Sequence, residues 1–266
     1  MLVFRAFLRR LKMAVQLLRY SFPKGGYVAD IPILDIQANF PDLNDQYLYF
    51  YHYYLYRLPK EVRAHRRYFL KNERGYGEDA FHAMWYLIFK HFRPKSALEI
   101  GVYRGQVISL WALLAKHFNA QCDVHGISPF TELGDSVSAY PAGIDYYADT
   151  MDNFRYFELS LPSLHVGLSS DKTLVAFIKS KEWDLVYVDG GHDYGIVLAD
   201  VENCSFSLSE GGLLVLDDSA LFTEYKGFPF SSLGHPGPSQ VAKEMEKFGL
   251  REILSVGHNR VFIKHK

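Results

Sequence analysis

The sequence is poor in cysteine, almost neutral in net charge and without a long uninterrupted apolar run. Its 266 residues include only Cys122 and Cys204, with no CxxC pair and no cysteine–histidine spacing typical of zinc. We therefore expect two reduced thiols in a reducing compartment, although the sequence also allows one bridge between them. The formal net charge of −1 gives no bulk attraction to nucleic acid, so we expect no nucleic-acid partner.

No segment is apolar enough to cross a bilayer. Residues 1–20 interleave apolar and basic side chains at roughly helical spacing, without the apolar run and cleavage site of a secretory signal. Such a helix packs on its own domain or on a second subunit, or it lies on an anionic membrane surface. We expect a cytoplasmic protein, and leave open both a homo-oligomer and association with the cytoplasmic face of a membrane through this helix.

The chain divides into an aromatic, mostly helical N-terminal part and a part in which strands and helices alternate. We predict a helical, aromatic extension or cap over residues 1–75 and one larger domain over residues 76–266. The densely aromatic run from Tyr47 to Tyr56 fits either a substrate-facing wall or core packing, and core packing is the favoured interpretation. An amphipathic helix over residues 78–92 is predicted to stop at Pro94.

After Pro94 the pattern predicts a parallel sheet. Helical segments separate most of the short apolar strands, which implies crossover connections and helices on both faces of the sheet. We predict an α/β, Rossmann-like, doubly wound, seven-stranded sheet with a C-terminal antiparallel hairpin and an N-terminal helical cap. Ser239 is predicted to cap a last helix that runs to Phe248. The predicted strands are residues 96–100, 122–127, 164–166, 184–188, 212–216, 251–256 and 260–264.

A glycine-rich turn follows the first predicted strand. Glu99 ends that strand, and Gly101 and Gly105 frame the turn in a GxxxG spacing. A dinucleotide site has GxGxxG instead, and here Tyr103 occupies the place of the middle glycine, where a pyrophosphate would meet a side chain. An acid before the turn suits a cationic ligand without phosphate. The alternative is a purely structural turn.

Three segments carry a family resemblance. The segment ALEIGVYRGQVISL, which starts at Ala97, resembles the first motif of class I S-adenosylmethionine-dependent methyltransferases. VYVDGGHDY and LLVLDDSA resemble the metal-dependent O-methyltransferases, a group that includes catechol O-methyltransferase and the macrolide and aminocoumarin sugar O-methyltransferases. The resemblance covers roughly residues 78–266.

The resemblance implies an S-adenosyl-L-methionine site. Glu99, Gly101 and Gly105 would surround the methionine end of this donor, and Ser169 and Ser170 would line its adenine. The family usually has an acid at the end of the second strand, where this chain has Ser128, so the ribose would be held by a neutral and weaker partner. The predicted cofactor-binding residues are Glu99, Gly101, Tyr103, Gly105, Ser128, Ser169 and Ser170.

Three aspartates follow two later strands. Asp189 ends the fourth strand, and Asp217 and Asp218 end the fifth, so the three carboxylates are expected at one edge of the sheet. Without a partner, the three carboxylates would repel one another and raise one another's pKa values. A divalent cation would remove this repulsion, and carboxylate oxygens are ligands that suit Mg²⁺. The alternative is that Asp217 caps a turn and Asp218 is a solvated neighbour.

These residues predict an Mg²⁺-dependent O-methyltransferase that methylates a hydroxyl of a small molecule or saccharide. His192 matches the position of the base in catechol O-methyltransferase, and either His192 or Asp189 would take the proton. His235, on a predicted lid loop, is a further candidate for acceptor contact, as are Asp149, Thr150, Asn153 and Arg155. The alternatives are a metal-independent small-molecule methyltransferase and a non-catalytic donor-binding protein.

Overall fold

A central seven-stranded sheet organises the protein. The computed structural model describes residues 28–71, 74–228 and 230–265. The strand order is β3-β2-β1-β4-β5-β7-β6, with β7 antiparallel to both of its neighbours and the other pairs parallel. The predicted fold class, including the C-terminal antiparallel hairpin, is confirmed. The strands are β1 Ser96–Ile100, β2 Asp123–Ser128, β3 Ser163–Val166, β4 Trp183–Val188, β5 Leu208–Leu216, β6 Leu250–Val256 and β7 Asn259–Lys264.

Helices cover both faces of the sheet. They are α1 Ile36–Asn39, α2 Leu43–Tyr56, α3 Lys60–Leu70, α4 Asp79–Phe92, α5 Gln106–His117, α6 Tyr146–Tyr156, α7 Lys172–Lys179, α8 Tyr194–Ser207 and α9 Pro236–Val241, with short 3₁₀ turns at Ile33–Asp35 and Met245–Phe248. Successive strand residues point to opposite faces, so Ala97 joins one hydrophobic cluster and Leu98 the other. The cluster of Ala97 contains the N-terminal helices, α4 and α5, and the cluster of Leu98 contains α7 and α8.

The aromatic run forms helix α2. Asp42 caps this helix, because its Oδ1 accepts hydrogen bonds from the backbone N–H groups of Asn44 at 2.8 Å and Asp45 at 3.2 Å. Most of its aromatic side chains are buried, including Tyr47 and Phe50, and they share one hydrophobic cluster with α4 and the sheet. The core-packing interpretation is therefore confirmed.

The last predicted helix was wrong in its start and its length. Helix α9 begins at Pro236, and Ser239 lies inside it. The Ser239 hydroxyl accepts a hydrogen bond from Leu221 N at 3.0 Å and donates one to Asp218 O at 3.2 Å, so this side chain ties α9 to the end of β5. The sequence analysis also missed helix α6, whose residues had been considered only as acceptor contacts.

The described helices include none that is long and apolar enough to cross a membrane. The predicted amphipathic helix over residues 1–20 lies outside the described residues, so its packing on the protein or on a membrane surface stays a prediction.

Candidate active site

The carboxyl ends of the central strands meet at one edge of the sheet. Backbone hydrogen bonds continue one residue past each strand: Gly101 N donates to Ile127 O at 2.9 Å, and Asp189 N donates to Ile100 O at 2.8 Å. Asp217 N likewise donates to Val188 O at 3.1 Å. The parallel register therefore brings the glycine turn and the aspartates to the same edge, as the sequence predicted.

Both glycines of the turn have left-handed backbone conformations. Gly101 has φ +100°, and a Cβ on it would lie 1.8 Å from the carbonyl oxygen of Asp189. Gly105 has φ +76° and precedes α5, and a Cβ there would lie 2.7 Å from Cγ2 of Thr150. The turn thus needs glycine at both positions because the chain passes so close to its neighbours.

A cavity of about 220 Å³ lies beside this turn, and we call it the nucleoside pocket after the donor that the family resemblance implies. Ser169 donates a hydrogen bond to the buried carboxyl group of Asp200, and the Ser128 hydroxyl accepts one from Phe130 N at 3.4 Å. Gly105 does not line the pocket; it is the N-cap residue of α5. Five of the predicted cofactor-binding residues line the pocket, and so does the predicted catalytic residue Asp189. The five are Gly101, Tyr103, Ser128, Ser169 and Ser170.

A second cavity of about 560 Å³, the acid cavity, adjoins the nucleoside pocket. The two share Gly101, Tyr103, Tyr140 and Asp189, so a ligand in one lies next to a ligand in the other. The acid cavity brings together the predicted residues Glu99, Asp189, His192, Asp217, Asp218 and His235.

Two buried carboxyl groups of the acid cavity, those of Asp189 and Asp217, have raised pKa values. Burial, followed by the charge of Asp217, raises the pKa of Asp189 well above its usual range, and the two carboxyl groups share a hydrogen bond. Burial also raises the pKa of Asp217. Oδ1 of Asp217 accepts no hydrogen bond from the described residues. Such a group of buried acids holds either a proton or a cation.

The buried Glu99 makes the stability of the ligand-free protein pH-dependent. Burial raises the pKa of Glu99 from 4.5 to about 8. Because the folded state holds this proton more tightly than the unfolded state, the stabilisation is fully present below about pH 4.5 and is lost as the pH rises through about 8. We expect Glu99→Gln to flatten the fall in melting temperature between pH 5 and 8, measured by calorimetry. An unchanged slope would contradict this account.

His192 lies between two carboxylates. Nδ1 contacts Asp135 Oδ2 at 2.5 Å, and Nε2 contacts Asp218 Oδ2 at 3.0 Å. Burial alone would lower the pKa of His192, but the bonds to Asp218 and Asp135 outweigh it and raise that pKa to about 9. A ring that is protonated at neutral pH accepts no proton, so the predicted base role requires release of the Asp218 contact. That role stays a prediction.

The sequence analysis missed three residues of this site. His258, in the β6–β7 turn, places Nε2 3.4 Å from Asp217 Oδ1. Glu78 is buried, accepts a hydrogen bond from Tyr47 Oη at 2.6 Å and lies 3.9 Å from His258 Nδ1. Asp135 holds His192. Their sequence context carried no motif, and only the hairpin turn next to the β5 end signals that His258 can reach the aspartates.

Two groups of side chains have the spacing of a metal site. One consists of Asp217, Asp218 and His258, and the other of His192, Asp218 and His235; the ligand atoms of each lie within 4.8 Å of one another. The predicted trio of Asp189, Asp217 and Asp218 is not such a group among the described residues. A cation bound by Asp217 and Asp218 would therefore also find an imidazole ligand.

The α6 residues suggested for acceptor contact, Asp149, Thr150, Asn153 and Arg155, line neither cavity, whereas His235 lines the acid cavity. Asp149 accepts bonds from the Arg104 guanidinium, with Nε–Oδ2 at 2.6 Å, and Asn153 Nδ2 donates to Arg104 O at 2.8 Å. Arg155 pairs with Asp152 at the surface. These residues fasten α6 to the glycine turn, and the acceptor role suggested for them has no support in their positions.

The segment that builds this site matches a known family. Residues 98–219 match a family model described as a methyltransferase domain. This segment is similar to methyltransferase domains, which bears out the predicted enzyme class. The matched segment runs from β1 to just past the aspartates of β5. No curated protein matches the chain.

Solved structures of methyltransferases share the fold of this chain. One is the S-adenosylhomocysteine-bound methyltransferase PaMTH1 of Podospora anserina, with 17% identity, 79% of this chain and 89% of that chain covered, and a TM-score of 0.55. Another is the O-methyltransferase TomG of Streptomyces achromogenes, with 12% identity, coverage of 84% and 99%, and a TM-score of 0.52. Identities this low establish the fold that they have in common.

Proposed function

We propose that this protein is an S-adenosyl-L-methionine-dependent O-methyltransferase, assisted by a divalent cation such as Mg²⁺, which methylates a hydroxyl of a small molecule or saccharide. The observation that carries the proposal is the junction of the two cavities. The glycine turn and Asp189 line both of them, and Asp217 and Asp218 lie in the larger one.

The nucleoside pocket supports the choice of donor. Gly101 and Tyr103 of the glycine turn line it, and the serines at the end of β2 and after β3 offer hydroxyls rather than cations. The described residues of this pocket include no lysine or arginine for a pyrophosphate. PaMTH1 is bound to S-adenosylhomocysteine and TomG to S-adenosylmethionine, and both share this fold.

The chemistry of the acid cavity supports a cation. Asp217 and Asp218 would hold it, with Asp189 beside them, and the buried Oδ1 of Asp217 has a lone pair without a hydrogen-bond donor. A bound Mg²⁺ would lower the pKa of an acceptor hydroxyl and fix its position. His258 next to both aspartates makes the site suitable for Mn²⁺ as well, since imidazole binds transition metals readily.

The protein's own residues would orient the acceptor and move its proton. The aromatic side chains of Phe81, Trp85 and Phe230 line the acid cavity and would keep water away from the methyl group. Asp189 lies at the junction and, once deprotonated, can take the proton of a hydroxyl there. His192 would act instead only after release of Asp218. Which of the two is the base is tested by comparing Asp189→Asn with His192→Gln.

Metal removal tests the cation directly. We expect activity to fall at least about tenfold in EDTA and to return on addition of Mg²⁺ or Mn²⁺, because the acids would otherwise repel a hydroxyl that is losing its proton. The assay is transfer of a labelled methyl group from S-adenosylmethionine to a panel of catechols, phenols and glycosides. Full activity in EDTA would contradict the role of the cation but not the use of S-adenosylmethionine as the methyl donor.

One observation favours the metal-independent alternative. The hydrogen bond between Asp189 and Asp217 lets a single proton relieve the repulsion of the two acids without any cation. In that case Asp217→Ala and Asp218→Ala together would leave turnover nearly intact. A protein that binds donor without transferring methyl to any acceptor of the panel would instead match the non-catalytic alternative.

A further inference from the structure

One end of the acid cavity is lined by helix α3 of the N-terminal part. His65 Nε2 lies 2.9 Å from Ser109 Oγ, which fastens α3 to α5. The next residue, Arg66, is 7% exposed, lines the cavity and donates from Nε to Asp79 Oδ1 at 3.0 Å. Helix α3 thus delivers a guanidinium to the cavity from outside the matched methyltransferase segment.

Two buried hydrogen-bond donors at this end have no partner. They are Nη1 of Arg66 and Nε2 of Gln106, and neither meets an acceptor among the described residues. Gln106 is the first residue of α5 and is 8% exposed; its Oε1 accepts a bond from Gly77 N at 3.1 Å, which fixes the orientation of the amide. Buried N–H groups without partners are costly, so they indicate an acceptor that arrives with a ligand.

The segment before α4 keeps this amide in place. A Cβ on Gly75 would lie 2.0 Å from Gln106 Oε1, so the backbone there packs directly on the amide. The amide also lies at the N-terminal end of a twelve-residue helix, where the helix dipole favours negative charge. Together with a guanidinium, which stays protonated in proteins, these features suit a carboxylate.

Glu99 lies in the same cavity, one residue before the end of β1. Glu99 is 3% exposed, and its Oε2 has no hydrogen-bond partner among the described residues. Two donors and one acid are the complement of an α-amino acid, whose carboxylate and ammonium groups need opposite partners. Gly101 and Tyr103 of the glycine turn line both this cavity and the nucleoside pocket.

We infer that Arg66 and Gln106 bind the α-carboxylate of the donor's methionine part, with Glu99 facing its ammonium, so that helix α3 of the N-terminal part completes the donor site. The inference rests on the proposed function. It gives the N-terminal helices a role in binding the donor, in addition to covering the acceptor.

The test compares two ligands that differ in the amino-acid part. S-adenosylhomocysteine carries it, and 5′-methylthioadenosine lacks it. Affinities of both for the full chain are measured by calorimetry, without added metal. We expect Arg66→Ala to weaken S-adenosylhomocysteine about 10- to 100-fold, the range for a hydrogen bond to a charged group, and to leave methylthioadenosine unchanged.

Two further variants guard against misfolding. Gln106→Glu keeps the size of the side chain and its bond to Gly77, and places a negative charge beside the ligand carboxylate; we expect the same selective loss. Arg67→Ala, on the exposed side of α3, is the matched control and should change neither affinity.

The outcomes separate this assignment from the proposed function. If the unaltered chain binds S-adenosylhomocysteine and both site variants bind it equally well, or lose both ligands alike, the role of Arg66 and Gln106 is overturned while the donor stands. If the unaltered chain binds neither ligand, the proposed function and this assignment fail together.

Discussion

Asp217→Asn is expected to lower kcat by about 100- to 1000-fold, because several kcal/mol of charge stabilisation at the reacting oxygen would be lost. Asp217 is buried between Asp189 and His258, and Oδ1 has no hydrogen-bond donor from the described residues. The amide keeps the shape of the side chain but removes the charge. Affinity for S-adenosylhomocysteine should stay unchanged, because Asp217 lines only the acid cavity.

Folding stability distinguishes this loss from a structural one. Burial raises the pKa of Asp217 because the buried carboxylate is costly, so a neutral amide at this position should not lower the melting temperature at neutral pH. Asp152→Asn, at the exposed pair with Arg155, is the control and should leave kcat intact. If Asp217→Asn retained turnover close to that of the control, the aspartates would have no part in the reaction.

Gly101→Ala is expected to lower the free energy of unfolding by about 3 kcal/mol and to abolish donor binding. The residue has φ +100°, and the new Cβ would lie 1.8 Å from the backbone oxygen of Asp189. The two backbone segments can separate only if the end of β1 or the end of β4 moves, and both ends line the nucleoside pocket. Urea unfolding and calorimetry with S-adenosylhomocysteine measure the two effects.

Gly195→Ala provides a contrast of opposite sign. Gly195 lies exposed in the first turn of α8, and a Cβ there would meet no atom within 4 Å. Alanine in a helix is favoured over glycine by roughly 0.5–1 kcal/mol, so this variant should be slightly more stable. Equal destabilisation by the two substitutions would show that the close approach at Gly101 has no special importance.

The sheet could be predicted from the sequence because its signal is local. The apolar runs of β1 and β4, each followed by a turn and a helix, indicate parallel strands with crossover helices, whereas the strand order comes from the structure. The error at Ser239 has an equally local cause: serine is a common cap, but Pro236 starts the helix earlier, and the serine hydroxyl instead bonds to Leu221 and Asp218.

The site could be predicted only where its residues follow strands. Asp189, Asp217 and the glycine turn meet because parallel strand ends share an edge. His258 comes from the antiparallel hairpin and Asp135 from a long loop, and their contacts with Asp217 and His192 depend on how those segments fold back. Arg66 reaches the cavity through the packing of α3 against α5, and the sequence does not show which helix α3 packs against.

A crystal structure with S-adenosylhomocysteine and Mn²⁺, with the metal located by anomalous scattering, tests the central claim most directly. The account predicts the nucleoside between Ser128 and Ser169, with one anomalous peak in contact with Asp217 and Asp218. An empty nucleoside pocket, or a metal peak away from these two aspartates, would contradict it.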